Sequence, residues 1–374
     1  MIERTITSSI LSDFHSGKVI IITGSRQVGK TTLTREIAKR SDLKYKWFNA
    51  DEPDIRSWLT EPTSTQLKQL FGDASLVIID EAQRIKNIGI TLKLAVENIP
   101  DVQIIATGSS ALGLAGDINE PLTGRKWEYS LYPFSFKELS LSFDLTEERR
   151  LIENRMIYGL YPEIVNNPGQ EIELLNSLVN SYLFKDILTM EKVRKPMLVE
   201  KILQALAFQV GSEVSFNELG RIVGADNQTI ERYIDLLQKV YVVYSLSSFS
   251  KNLRNELKKS RKIYFWDNGI RNSLIKNFNP LSLRNDTGPL WENYLITERL
   301  KHLHYSKKYA NCYFWRTSQQ QGIDYIEIRD GLVHAYEFKW SDTDRLRIPK
   351  TFLSAYPGTT LKVITRNNFV EFLT

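Results

Sequence analysis

Eight residues near the N-terminus have the types and spacing that bind a chain of phosphates. Gly24–Thr31 follows the pattern G-x-x-x-x-G-K-[ST], directly after an apolar run and before a helical pattern. The two glycines let the backbone bend until consecutive N–H groups point inward, and the following helix adds the positive end of its dipole. We expect Lys30 to reach the β- and γ-phosphates of a nucleotide and the Thr31 hydroxyl to bind Mg²⁺.

Two adjacent acids follow a second apolar run. Leu76–Ile79 is a strand pattern, and Asp80 and Glu81 come directly after it. An acid at the end of such a strand lies beside the phosphate-binding loop and can hold Mg²⁺, while its neighbour can orient and deprotonate a water molecule. ATP and Mg²⁺ are therefore the predicted cofactors, and hydrolysis the predicted reaction. The predicted nucleotide-binding residues are Gly24, Ser25, Arg26, Gln27, Val28, Gly29, Lys30, Thr31, Thr32 and Asp80.

Several segments together resemble one family. GSRQVGKTT, LVIIDEAQR, IIATGSSALGL and LTGRKWEYSLYPFSFKEL look like the AAA+ ATPases whose C-terminal half carries a restriction-endonuclease-like domain of unknown function. The resemblance covers essentially the whole chain, since YGLYPEIV and GIDYIEIRDGLVHAYEFKW also fit. It implies that Ser109 is a polar sensor of the γ-phosphate. It also implies that Arg125 acts on a neighbouring subunit's nucleotide, which requires a homo-oligomer; an ordinary surface arginine is the alternative.

A second group of chemically competent residues lies near the C-terminus. Asp330-Gly331 between two β-patterns predicts a two-residue hairpin loop, which places Asp324 directly opposite Glu337. Lys339 shares the face of Glu337 because strand side chains alternate. A second Mg²⁺ or Mn²⁺ bound by Asp324 and Glu337 would remove their repulsion, and Lys339 could stabilise a developing phosphoryl charge.

The spacing D-x₁₂-E-x-K resembles the core of PD-(D/E)xK nucleases. That resemblance adds Glu292, on the preceding helix, to the possible nuclease residues Asp324, Glu337 and Lys339. Ile323 stands where the family name has proline, a departure that the fold often shows. Two alternatives stay open, a degenerate nuclease fold used for binding and a simple surface salt bridge, and the fold alone does not establish cleavage.

The elements that must position these residues predict an α/β protein. Strand and helix patterns alternate through the first third, which favours a P-loop NTPase three-layer parallel sheet. An all-α and winged-helix region and a mixed α/β nuclease-like domain follow. The predicted domains are residues 1–135 (AAA+ ATPase core), 136–195 (helical lid or linker), 196–275 (winged helix-turn-helix) and 276–374 (nuclease-like domain).

The predicted winged helix suggests DNA as a partner. Its second helix would show Asn227, Gln228 and Arg232 to base edges, although Glu231 and Asp235 on the same face oppose phosphate approach. A basic run between the wing strands could track a DNA backbone. Its cationic residues are Lys251, Arg254, Lys258, Lys259, Arg261 and Lys262. A solvated loop and a protein-docking module are the alternatives.

Charge, cysteine content and hydropathy limit the setting. The net charge is +5, and the segment from Lys251 to Lys262 carries all of that excess. A single cysteine, Cys312, excludes an internal disulfide framework and fits a reducing compartment. No run of 18 apolar residues and no secretory signal pattern is present, so we expect a cytoplasmic protein without a membrane partner.

These observations leave three functional hypotheses. The favoured one is an ATP-driven, DNA-associated enzyme, in which hydrolysis changes how the later domains engage DNA. The second is a nucleotide-dependent switch whose C-terminal domains only bind protein or DNA. The third is a metal-dependent nuclease that ATP regulates.

Overall fold

Short apolar runs before and after residue 133 build two different sheets. The computed structural model describes residues 2–108, 121–180, 195–250, 261–317, 319, 321–341 and 349–374. By its internal contacts the chain divides into a first unit, mainly Met1–Pro133, and a second unit that contains most of the chain from Phe134 onward. Among the helices of the described ranges, none combines the length and apolar character needed to cross a bilayer.

The first unit is built on a five-stranded sheet in the order β2-β3-β4-β1-β5, in which every neighbouring pair is parallel. Its strands are β1 (Val19–Thr23), β2 (Tyr45–Asn49), β3 (Leu76–Asp80), β4 (Gln103–Gly108) and β5 (Lys126–Ser130). Its helices are α1 (Ile6–Ser12), α2 (Lys30–Ser41), α3 (Pro53–Leu59), α4 (Ser64–Phe71) and α5 (Ile88–Asn98), with a 3-10 turn at Ala82–Arg84.

The central strands of this sheet are apolar on both faces because helices cover both faces. Val19–Ile22 of β1 and Leu76–Ile79 of β3 are buried throughout. Side chains of α3, α4 and α5 pack into the same core as β1, β3 and β4. The predicted parallel sheet with flanking helices, followed by a further α/β region, is confirmed.

The second unit contains a seven-stranded mixed sheet in the order β12-β11-β10-β9-β7-β8-β6. Its strands are β6 (Glu213–Val214), β7 (Val243–Ser248), β8 (Arg261–Phe265), β9 (Asn311–Arg316), β10 (Gly322–Arg329), β11 (Leu332–Phe338) and β12 (Thr360–Ile364). The expected wing strands, β7 and β8, thus share one sheet with β9–β12. The domain boundary predicted at residues 275 and 276 falls between strands of this sheet.

Helices occupy most of the remaining described part of the second unit. They are α6 (Phe136–Ser142), α7 (Leu145–Arg150), α8 (Ile152–Tyr158), α9 (Pro162–Asn166), α10 (Glu171–Leu178), α11 (Pro196–Phe208), α12 (Phe216–Val223), α13 (Asn227–Lys239), α14 (Asn268–Leu274), α15 (Thr287–Tyr305), α16 (Lys350–Ala355) and α17 (Phe369–Leu373), with a 3-10 turn at Leu281–Leu283. Helix α15 is buried on nearly all sides, as its 13 buried residues indicate, so it is the central helix of this unit.

Candidate nucleotide-binding site

The phosphate-binding loop is shaped by two glycines and one strained residue. Gly24 directly follows β1, and a Cβ atom added there would lie 2.1 Å from the carbonyl oxygen of Leu131, so no larger residue fits. Gln27 and Gly29 have φ angles of 60° and 95°, and Gly29 is the N-cap of α2. This left-handed backbone turns the chain directly from β1 into the first turn of α2, as an anion-binding loop requires.

Lys30 is held at this loop by backbone carbonyls. Its ammonium donates to the carbonyl oxygens of Gly24 (3.0 Å) and Ser25 (2.8 Å), and its side chain is buried. A buried ammonium needs such acceptors, because transfer of a charge from water is costly unless the charge is hydrogen-bonded. The contacts place the cationic group beside the loop where the sequence predicts it.

The other residues of the motif differ in exposure. Ser25 and Val28 are buried, Arg26 and Gln27 are half-buried, and Thr32 is exposed on α2. The exposed position of Thr32 gives no direct support for its predicted contact with nucleotide.

Asp80 connects the two halves of the site. The Thr31 hydroxyl donates to Asp80 Oδ2 at 2.8 Å, and the Thr107 hydroxyl donates to Asp80 Oδ1. The carboxylate lies at the carboxyl end of β3 and is buried. A hydroxyl and a carboxylate in direct contact form the oxygen pair that Mg²⁺ uses beside a phosphate-binding loop. The residues present therefore fit a magnesium ion.

Glu81 is oriented separately from Asp80. Its backbone is left-handed, with φ of 54°, and its N–H donates to the Thr107 hydroxyl at 3.2 Å. Its carboxylate accepts a hydrogen bond of 2.6 Å from the Gln83 side-chain amide. The turn directs the two neighbouring acids to different partners, as separate metal-binding and base roles would need.

Thr107 is a site residue that the sequence did not single out. It lies in β4, is fully buried, and bonds both to Asp80 and to the backbone of Glu81. Its position near the end of β4, the strand beside β3, is the feature that could have identified it as a site residue. The predicted sensor, Ser109, lies outside the described residues.

Arg125 lies directly before β5. Its guanidinium forms an ion pair with Glu97 at 2.9 Å, and both side chains are about two-fifths exposed. An exposed pair of this kind contributes little stability. The arginine is thus placed on the surface of the unit, and its action on a neighbouring subunit stays a prediction.

The acidic hairpin of the second unit has the predicted register. Asp330 and Gly331 both have positive φ, as a two-residue hairpin turn of the favoured type requires. Five cross-strand pairs from Arg329↔Leu332 to Tyr325↔Tyr336 confirm the register, and its continuation places Asp324 opposite Glu337. The Asp324 carboxylate accepts a hydrogen bond of 2.9 Å from the Phe338 N–H.

A hydrophobic core covers one face of the hairpin. Ile326 and Ala335 are buried, and Ile328 and Val333 pack against the same cluster. On β10, the pairing with β9 shifts by one residue between Ile323 and Ile326, so an irregularity of the bulge kind lies in the interval that contains Asp324.

Burial and neighbouring charges perturb Glu337 of this hairpin. The pKa of Glu337 is raised to about 7, first because the side chain is buried and second because Asp324 is close; Lys339, 3.4 Å from Glu337, opposes the rise. Within the described ranges, no three His, Cys, Asp or Glu side chains are grouped closely enough to hold a metal ion. The second metal site predicted at Asp324 and Glu337 therefore stays a proposal.

Glu292 reaches two residues of β8 that the sequence did not connect with it. Its Oε1 accepts from Lys262 Nζ at 2.8 Å and from the Tyr264 hydroxyl at 2.5 Å. Burial raises the pKa of Glu292, Lys262 opposes the rise, and Asp324 adds to it. Glu292 thus lies within electrostatic reach of the acidic hairpin, with Lys262 as its counter-ion.

The predicted DNA contacts fall into four groups, of which Lys262 alone forms the last. Asn227, Gln228 and Arg232 are exposed on α13, as expected. Arg261 is half-buried near the Phe216 ring. The other residues of the basic run, Lys251, Arg254, Lys258 and Lys259, lie outside the described residues.

Lys262 differs from the prediction. It is 4% exposed and paired with Glu292, so it does not face a DNA backbone. The physical reason is its position inside a sheet, where the carboxylate of Glu292, with only 12% of its side chain exposed, requires a cation.

Helix α15 fixes the acidic hairpin from its other face. Arg299 donates to both carboxylate oxygens of Glu327 on β10, at 2.6 and 3.0 Å, and both side chains are buried. Such a two-pronged pair is directional as well as strong. It holds β10 against the helix that also carries Glu292.

Comparison with known proteins agrees with the first of these sites. Residues 16–140 match the model of an AAA domain, residues 149–281 match a domain of unknown function (DUF8612), and residues 287–372 match a second domain of unknown function (DUF4143). The first unit thus combines a sequence match to an AAA domain with a parallel sheet and a phosphate-binding loop of the P-loop type.

Uncharacterized proteins of two bacteria are similar to this chain over most of its length. An uncharacterized protein of Mycobacterium tuberculosis is 27% identical over 346 residues, which cover 91% of this chain and 74% of that one. An uncharacterized protein of Haemophilus influenzae is 26% identical over 283 residues, 68% of each chain. Among solved structures, a Walker-type ATPase of Pyrococcus abyssi is 17% identical with a TM-score of 0.49, covering 74% of this chain and 96% of that one.

Proposed function

We propose that this protein binds ATP with Mg²⁺ and hydrolyses it to ADP and phosphate. The observation that carries the proposal is the contact of Thr31 with Asp80 beside a loop that Gly24 and Gly29 bend into a phosphate-binding shape. When bound, Mg²⁺ would neutralise charge on the β- and γ-phosphates. The loop N–H groups and Lys30 would hold the triphosphate in place.

The chemical step assigns Glu81 the role of general base. A water oxygen attacks the γ-phosphorus, the bond from that phosphorus to the bridging oxygen of ADP breaks, and the Glu81 carboxylate takes the water proton. The Gln83 amide, bonded to that carboxylate, favours one orientation of it. Asp80 would hold the metal and not act as the base, because its two oxygens already accept hydrogen bonds from Thr31 and Thr107.

Two substitutions separate binding from chemistry. We expect Lys30→Ala to lose binding of a fluorescent ATP analogue, and Glu81→Gln to bind it but release phosphate at least about a hundredfold more slowly. Lys39→Ala, an exposed change on the same helix, is the matched control and should behave like the wild type. Equal turnover in the wild type and Glu81→Gln would remove Glu81 from the mechanism. Absence of binding by the wild type would refute the proposal.

We further propose that hydrolysis is coupled to DNA engagement by the second unit. Support comes from α12, the turn at Gly224, α13 and the antiparallel pair β7–β8, an element order that suits a winged helix. The exposed Asn227, Gln228 and Arg232 on α13 suit contact with base edges. Phosphate release measured with and without duplex DNA tests the coupling. Unchanged turnover together with no DNA binding in any nucleotide state would refute it.

Metal-dependent DNA cleavage is the second candidate function. It is favoured by one specific observation, the register that brings Asp324 opposite Glu337 with Lys339 beside Glu337. With Mn²⁺ and plasmid DNA, we expect cleavage by the wild type and by Lys362→Ala, an exposed change on the neighbouring strand, but not by Lys339→Ala. Intact plasmid under all nucleotide and metal conditions would refute cleavage and favour a switch that only binds.

A further inference from the structure

Arg4, in the segment before α1, connects two backbone stretches of the first unit. Its Nη1 donates to the carbonyl oxygen of Val28 at 2.9 Å, and its Nη2 donates to that of Tyr132 at 2.6 Å. The side chain is only 7% exposed. A guanidinium is charged at every pH that a protein meets, so its burial depends on acceptors that match its fixed geometry. Here two of them are main-chain carbonyls.

The Val28 carbonyl belongs to the peptide group that also carries the Gly29 N–H. In a trans peptide, the C=O and the following N–H point in opposite directions. When Arg4 holds the Val28 carbonyl, it therefore also directs the Gly29 N–H to the opposite side of that peptide plane. Gly29 has a φ of 95°, and glycine can adopt several other backbone conformations at little cost. An external restraint such as Arg4 can therefore fix the orientation of this peptide group.

The second anchor is itself rigidly attached to the start of the loop. Leu131, next to Tyr132, donates its N–H to the carbonyl of Thr23 at 2.7 Å. Its own carbonyl oxygen lies so close to Gly24 that a Cβ there would be 2.1 Å away. Arg4 thus ties the end of the loop, at Val28, to the same backbone that contacts its first glycine.

We propose that Arg4 is a positioning residue for ATP binding, which acts by fixing the Val28–Gly29 peptide so that the Gly29 N–H faces the triphosphate. The inference rests on the proposed ATP binding and adds to it a residue that lies outside the phosphate-binding motif. The loop N–H groups would contact phosphate equally in the ground state and in the transition state. A misdirected Gly29 N–H should therefore weaken ATP binding more than it lowers kcat.

The test compares Arg4→Met with a control that removes a similar link elsewhere. Gln103 is also buried and donates from one side chain to two backbone carbonyls, those of Lys18 and Ile104, both at 3.0 Å, at the amino end of the same sheet. We expect Arg4→Met to raise the Kd of a fluorescent ATP analogue and the KM for ATP at least about tenfold, with kcat changed less than about threefold. Gln103→Met should leave the Kd and the KM within about twofold of the wild type, although it lowers the unfolding midpoint.

The outcomes separate this inference from the proposed function. If the wild type binds no nucleotide, the proposed function fails and the role of Arg4 falls with it. If the wild type binds and Arg4→Met binds equally well, the role of Arg4 alone is overturned. An equal rise of Kd in Gln103→Met would also overturn it, because general destabilisation would then explain the effect. Should Arg4→Met not fold, Arg4→Lys, which keeps the charge but not the two-pronged geometry, is expected to weaken binding in the same direction, and unchanged affinity would again overturn the role.

Discussion

Removal of the Thr107 hydroxyl should slow ATP hydrolysis without preventing ATP binding. Thr107 is fully buried, donates to Asp80 and accepts from the Glu81 N–H. Thr107→Val keeps nearly the same volume but leaves a carboxylate oxygen and a backbone N–H without this partner. The loop, Lys30 and Thr31 are not altered. The change therefore alters the partners of Asp80 and Glu81 but leaves the groups that we assign to phosphate binding in place.

The size of the effect follows from the kind of hydrogen bond that is lost. A hydrogen bond to a charged group contributes about 1.5–3 kcal/mol. If most of this is needed to hold the metal ligand and the base in their reactive positions, kcat should fall about tenfold to a hundredfold, since about 1.4 kcal/mol corresponds to a factor of ten. The KM for ATP should change less than about threefold, because the groups that bind phosphate are unaffected.

The assay is steady-state phosphate release over a range of ATP concentrations. Thr107→Ser keeps the hydroxyl and should restore most of the turnover. Thr91→Val is the matched control in the same unit, because the buried Thr91 hydroxyl donates only to the carbonyl of Leu59, at 2.9 Å, away from the site. A folded Thr107→Val protein whose kcat is within about twofold of the wild type would refute the positioning role.

Three further predictions concern the second unit, and each is measured by urea denaturation. Burial lowers the pKa of His302 to about 4, so the unfolded chain binds a proton at a higher pH than the folded protein does. The free energy of unfolding should therefore fall as the pH drops below about 6.5. Relative to His302→Gln, the wild type should lose about 2 kcal/mol of that free energy between pH 8 and pH 5, and identical pH profiles would contradict this. Gly269→Ala places a Cβ 2.1 Å from the backbone carbonyl oxygen of Tyr158 and should lower the free energy of unfolding by more than about 2 kcal/mol. Gly288→Ala, with open space around the Cβ, is its control and should change that free energy by less than about 1 kcal/mol. Lys262→Met should lower the free energy of unfolding by about 3–5 kcal/mol, because it leaves Glu292, whose side chain is 12% exposed, without its cation. Adding Glu292→Gln should recover most of that loss, and additive effects of the two changes would rule out this pairing.

The features that the sequence predicted well depend on neighbouring residues. The loop from Gly24 to Thr31 is a continuous segment, so its types and spacing nearly determine its backbone. The hairpin register was also local, because the Asp-Gly turn at Asp330 and Gly331 sets every pair of the two strands. In both places, a few consecutive residues contain the information that the geometry needs.

The contacts that the sequence did not predict join residues far apart in the chain. Arg4 and Tyr132 are 128 positions apart, and no periodic pattern relates them. Thr107 and Asp80 lie on neighbouring strands, but the strand order that makes them neighbours is a property of the whole sheet. Residues that hold a site in place are therefore harder to find from one sequence than residues that perform its chemistry.

Lys262 shows how a count of charges can mislead. Strand β8 has a hydrogen-bonded neighbour on both sides, with Lys262 opposite Leu246 on one and Glu213 on the other. Alternation along the strand puts Lys262 and the buried Tyr264 on one face, and both bond to Glu292. The charge that seemed available to a phosphate backbone is thus used inside the protein.

This pairing bears directly on the second candidate function. A divalent cation that used Glu292 would have to share that carboxylate with the Lys262 ammonium, 2.8 Å from it, against the repulsion of two cations at short range. In the part of the chain that the structure describes, Asp324 and Glu337 have no buried lysine of this kind, and Lys339 beside Glu337 is 44% exposed, so its side chain can move away into water. If the hairpin holds a metal, these two acids should be its protein ligands, with Glu292 left to Lys262.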